Sequence, residues 1–208
     1  MTPRTKIPVE SIRRQTDDER DCAFFAIQNL YVWAVLEPPT LEDMRSAAHA
    51  CYTTAPDHMG LTVTDQMMLL QQLRCPLLLA VAIVPNDADV RRYFPTVLDA
   101  GCALLVGYFY TYGGTAYGHS VVAESWSDEG LSVLCSGSPA QEGKVVEWDA
   151  QPSAPAPLDA RPHGCRNIVP WRTIADADKI VAGLAPARGI NRTFIIAWLP
   201  SDEARGLL

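Results

Sequence analysis

No C-x-x-C pair joins any of the six cysteines (Cys22, Cys51, Cys75, Cys102, Cys135, Cys165), so neither a zinc site nor a thioredoxin-like motif is readable. The start of the chain lacks a leader pattern. Met1-Thr2-Pro3-Arg4-Thr5-Lys6 leads into more polar residues without an apolar segment. Long hydrophobic runs are missing as well: the stretch from Leu77 to Pro85 is the longest, far below the roughly 20 residues of a membrane span. Basic clusters are scarce. Arg13-Arg14 and Arg91-Arg92 are the only basic doublets and the net charge is -7, which disfavours nucleic-acid binding through phosphate neutralisation. Phosphate loops fail too, since Gly113-Gly114 has no dinucleotide fingerprint and Glu142-Gly143-Lys144-Val145 lacks the spaced glycine and hydroxyl residue. These absences predict no nucleic-acid or membrane partner, no cofactor and no metal. They also predict reduced thiols and a cytoplasmic location, or export without a classical signal peptide.

What the chain does have is enough apolar residue for a core. At 208 residues and 48% hydrophobic composition, residues 1–208 read as a single domain. An apolar helix is expected over about 22–36, stopped by Pro38-Pro39, and should be buried on nearly all sides. Thr40 with Asp43 predicts the start of a second helix, and Thr62 or Thr64 that of a third over about 64–74. Leu77–Val84 reads as a buried strand, Asp87–Tyr93 as a short helix and Ala103–Tyr110 as a strand. A short strand is expected at Lys6–Ile12, a hairpin turns at Ser127-Asp128-Glu129-Gly130, and residues 150–165 read as a proline-rich surface loop. Thr173–Leu184 looks helical and Phe194–Leu199 is the last strand. Helices first and antiparallel strands later give an α+β class, a helical lobe against a sheet lobe.

The chemistry concentrates at Cys22. Gln15 precedes it by seven positions, the polar run Thr16-Asp17-Asp18-Glu19-Arg20-Asp21 separates them, and the apolar helix begins at the cysteine. Asp21 is placed to cap that helix. A thiol in a first helical turn faces the positive end of the dipole and unpaired N–H groups, which favour thiolate. The same N–H groups with the Gln15 amide can hold an oxyanion. The base predicted for this nucleophile is His119, at the start of the strand-like run Gly118-His119-Ser120-Val121-Val122. His49, His58 and His163 have poorer settings, on an amphipathic helix, before a turn and in the proline loop. A hairpin about 127–130 sets His119 opposite Ser136 or Ser138, so Ser136 is the expected orienter of the imidazole, with Glu124, Asp128, Glu147 and Asp149 as substitutes. Tyr112, Tyr117 and Gly118 lie just before the histidine and are candidates for substrate contact. Cys51, Cys75, Cys102 and Cys135 read as core filler.

Gln15 followed by Asp21-Cys22 opening an apolar helix, and Gly118-His119-Ser120-Val121-Val122 about a hundred residues on, resembles the C39-like branch of the papain-like cysteine peptidases. Gly60–Cys75 and the strand at Arg192–Trp198 fit the same likeness, which spans roughly residues 10–200. It implies a papain-like fold in which a buried, cysteine-bearing helix packs on an antiparallel sheet. It also implies Cys-His acyl-enzyme chemistry on a peptide or acyl-bearing substrate, by a peptidase, an amidase or a thiol-dependent acyltransferase. The chain departs from the pattern at Ala23, where the family has glycine, and at Cys135-Ser136 or Ser138-Pro139, where it has Asp-Pro. Those departures leave open a weakly catalytic protein that binds a peptide or protein partner in the same cleft.

Overall fold

A computed structural model describes residues 7–15, 22–51, 61–84, 87–112, 115–136, 164–171, 174 and 193–200. Four helices and a six-stranded antiparallel sheet make up its α+β architecture among the described residues. The elements in chain order are a 3-10 turn (Val9–Ser11), α1 (Cys22–Trp33), α2 (Leu41–Cys51), α3 (Val63–Gln72), β1 (Leu78–Ile83) and α4 (Asp87–Asp99). Then come β2 (Ala103–Tyr112), β3 (Thr115–Trp126), β4 (Gly130–Cys135), β5 (Cys165–Pro170) and β6 (Thr193–Trp198). The sheet order is β1-β6-β2-β3-β4-β5, with every neighbouring pair antiparallel. No described helix is long and apolar enough to cross a membrane.

The helix starts follow local chemistry. Thr40 and Asp43 exchange bonds at the entry to α2: the Thr40 N–H donates to Asp43 Oδ2 at 3.2 Å, and the Asp43 N–H to Thr40 Oγ1 at 3.1 Å. Thr62 and Asp65 repeat the same capping box at α3. The helix ends do not follow the proline signal. In α1 the Leu36 N–H reaches Tyr31 O and the Val35 N–H reaches Val32 O, so the helix closes in a Schellman turn before Pro38. Cys75 and Arg74 close α3 in the same way, as do Cys102 and Gly101 after α4. The left-handed position falls on Val35 (φ 59°), Arg74 (φ 52°) and Gly101 (φ 83°), and only the last is the residue that adopts it without strain. Val35 is 80% exposed, so its side chain gains little in return. Val35→Gly is therefore expected to raise stability by about 1 kcal/mol, read as an increase in thermal midpoint.

Three expectations are corrected. Lys6–Ile12 contains the 3-10 turn and not a strand. Leu78–Ile83 is an edge strand, with Val81 at 47% and Ile83 at 72% exposure, because a continuous apolar run does not say how many neighbours a strand has. The helix begun at Asp87 runs on to Asp99 through Pro95, well past Tyr93. β5, which the loop reading stopped short of, was not anticipated. Most of the proline-rich stretch at 150–165 and of the helix expected at Thr173–Leu184 lies outside the described residues.

Two cores cover the two sheet faces. On one face, α1, α2 and α3 pack Phe24, Ile27, Leu30, Met44, Leu69 and Leu70 against Leu105, Val122, Leu134 and Ile195. On the other, α4 packs Val90, Phe94 and Leu98 against Leu104, Val121, Ala123, Val133 and Phe194. Phe94 meets Phe194 edge-on with centroids 4.4 Å apart. Helix α1 is buried at every position from Ala23 to Trp33 except Val32, as its sequence predicts for a central helix.

Candidate active site

Cys22 is the first residue of α1 and is half-buried, which agrees with the place read for it. Asp21, its expected cap, lies outside the described residues. The segment ahead of the helix is held by α1 itself. Asn29, fully buried, accepts the Arg13 N–H at 2.7 Å on Oδ1 and donates from Nδ2 to Arg13 O at 3.3 Å. One residue before Arg13 and two after it, the same segment meets the ends of β5 and β4. The Gly164 N–H donates to Ile12 O at 2.8 Å, and the Gln15 N–H to Ser136 O at 2.9 Å. Gln15 is thus held by its backbone at the end of β4, two residues after Arg13 is clamped to the cysteine-bearing helix. Glycine is required at 164, since a Cβ there would stand 2.5 Å from Cys135 O and 2.7 Å from Arg13 O.

His119 lies on β3 opposite Tyr108 of β2. Tyr112 and Tyr117 flank the tip of this β2–β3 hairpin, opposite Thr115 and Tyr110, and Gly118 pairs with Phe109. Their side chains are outside the description. Along β3 alternate residues face opposite cores: Val122 joins the α1 side, whereas Val121 and Ala123 join the α4 side. Ser120 follows Val122, and Gln66 of α3 donates to its Oγ at 3.1 Å. His119 follows Val121. Its Nε2 lies 3.2 Å from the Sγ of Cys135, a buried residue of the α4-side core.

Cys22 opens a helix on one face of the sheet, while the imidazole of His119 turns toward the other. The described bonds bring Gln15 to Ser136 and His119 to Cys135. Among the described residues the buried Ser136 Oγ has no hydrogen-bond partner, and no described bond joins it to the imidazole. The ring nitrogen meets Cys135 instead, which had read as filler. Glu124 is committed elsewhere, paired with the Arg166 guanidinium of β5, which also donates to Ile7 O at 2.8 Å. Asp128 is exposed in the turn, and Glu147 and Asp149 lie outside the described residues.

Burial of the imidazole pushes its pKa down from 6.5 to about 4. At neutral pH the ring is therefore uncharged, able to take a proton but carrying none to hold a thiolate by charge. Cys135 has a second sulfur beside it. Cys165 of β5 is its register partner, and the Cys165 thiol lies 3.9 Å from Cys135 O. Cys22, Cys75, Cys102, Cys135 and Cys165 form no disulfide, and no cluster of metal-ligating side chains occurs among the described residues. Register brings Cys135 there: Val122 opposite Leu134 sets Val121 level with Cys135, two residues along β3 from His119. No family model matches the chain, and no curated protein sequence matches it either.

Proposed function

We propose that the protein is a thiol-dependent acyl-transfer enzyme of the papain-like type, with Cys22 as nucleophile and His119 as base, cleaving or transferring an amide, ester or thioester acyl group. The observation that carries this reading is the mounting of Cys22. It begins the buried central helix, that helix packs chiefly on β3, the strand bearing His119, and the segment leading to Gln15 is bonded to the helix through Arg13 and to Ser136 at the end of β4 through Gln15. First-turn N–H groups and the Gln15 amide would bind the oxyanion as the thiolate adds to the carbonyl carbon. The neutral imidazole would take the thiol proton and return it to the leaving group. Papain-like topology and the peptide class of substrate rest on the sequence likeness.

Turnover of acyl-coumarin and peptide-library substrates tests the reading. Cys22→Ala is expected to abolish product formation and the mass adduct left by an acyl-type warhead, whereas Cys102→Ala leaves both intact. Warhead addition that persists in Cys22→Ala would remove Cys22 from the role. The seating of the imidazole against Cys135 supports a second reading, a cleft that binds a peptide or protein partner without turnover. In that case wild type and Cys22→Ala bind alike and neither forms product.

A further inference from the structure

The α4 side of the sheet holds two thiols and an imidazole together. We propose that Cys135, Cys165 and His119 form a second thiol site, in which a small hydroperoxide oxidises Cys135 and Cys165 to a cross-strand disulfide.

Three observations carry it. Cys135 and Cys165 are direct register partners on antiparallel strands. Such partners have Cα atoms about 4.5 or 5.5 Å apart, inside the range of roughly 4.4–6.8 Å that a disulfide spans. The strands can therefore be bridged by side-chain rotation, with no backbone shift. Second, Cys135 Sγ lies 3.2 Å from His119 Nε2, which in the Nδ1–H tautomer is a proton acceptor at the sulfur. Third, both sulfurs are enclosed: Cys135 is 3% and Cys165 7% exposed, among Val121, Val133, Val169 and Trp171. An apolar enclosure of this kind admits a small uncharged oxidant and excludes a bulky charged one such as glutathione disulfide. The site does not rest on the acyl-transfer reading, since Cys22 begins a helix on the opposite face.

The chemistry balances. The Cys135 thiol passes its proton to His119, and the thiolate attacks one oxygen of hydrogen peroxide. The O–O bond breaks, water leaves with the proton returned by His119, and Cys135 is left as a sulfenic acid. Cys165 sulfur then attacks Cys135 sulfur, the S–O bond breaks, and the departing hydroxide takes the Cys165 proton as a second water. Two thiols and one peroxide become one disulfide and two waters. The two electrons come from the sulfur pair.

The test treats the full-length protein with hydrogen peroxide under native conditions, blocks residual thiols and maps peptides by mass. The expected product has lost two hydrogens and carries a Cys135–Cys165 link, formed equally in wild type and Cys22→Ala. Glutathione disulfide at the same concentration is expected to give no link. Cys165→Ser should stop at a sulfenic acid on Cys135 that dimedone captures, and His119→Gln should slow oxidation at least about tenfold. Wild-type protein that keeps both thiols, or links a different cysteine pair, overturns the proposal without reference to any variant. Equal rates for peroxide and glutathione disulfide would overturn the enclosed-site argument. Loss of peptide turnover in Cys22→Ala is read separately, so failure of either proposal leaves the other standing.

Discussion

Replacing Asn29 by alanine is expected to destabilise the fold by about 4 kcal/mol, the largest effect of any single substitution considered. Asn29 is fully buried in the middle of α1 and serves both polar groups of the Arg13 backbone. Each bond contributes about 1 kcal/mol net, and orphaning a buried donor or acceptor costs a further 1–3 kcal/mol. The smaller side chain also leaves a void in a close-packed helix interface. The damage travels along the segment, because Ile12 and Gln15 on either side of Arg13 are bonded to Gly164 and Ser136. Denaturant unfolding measures the cost. If Asn29→Ala shifts the free energy by less than about 1 kcal/mol, the clamp between α1 and the sheet is not a structural element. Asn29→Asp separates the two bonds: the carboxylate keeps the acceptor for the Arg13 N–H and loses the donor to Arg13 O, so an intermediate loss is expected.

The second large effect is a dependence of stability on pH through His119. Its folded pKa of about 4 lies below the unfolded value of 6.5, so the unfolded chain binds the proton first as pH falls. The contribution of the neutral, buried ring is fully present above pH 6.5 and is lost as pH falls toward 4. Below 4 both states are protonated and the loss stops growing. The shift corresponds to about 3 kcal/mol at most, at 1.36 kcal/mol per pKa unit. Carboxylates titrate mainly below 4.5, so the interval from pH 6.5 to 5 isolates the histidine. Unfolding free energy should fall across that interval in wild type and stay nearly level in His119→Gln. A flat wild-type profile would show that the ring is hydrated and free to charge in place.

Much of the architecture was legible in local chemistry. The capping pairs Thr40/Asp43 and Thr62/Asp65 act within one helical turn, so their residues suffice to announce α2 and α3. The hairpin at Ser127–Gly130 was equally local, closed by reciprocal bonds between Ser127 and Gly130. The extent of α1 was not, because its end depends on Val35 adopting a left-handed conformation that valine does not advertise. Leu78–Ile83 misled for a related reason. An apolar run reports burial appetite, whereas edge or centre is a property of sheet order, set by β6 more than a hundred residues later.

The site divides along the same line. Cys22 at the mouth of an apolar helix could be read from neighbours in sequence, and so could the entry of His119 onto a strand. Which face of that strand meets which helix could not. A period of two makes faces alternate residue by residue, and a bulge between Ala123 and Ser125 shifts the register against β4. Pairing alone set Cys135 beside His119. The sequence thus determined where helices start and which segments are apolar, since both are fixed by side-chain type and short-range spacing. Tertiary structure decided which of those residues meet, because contact across a sheet is set by register and strand order, quantities that no local stretch of chain contains.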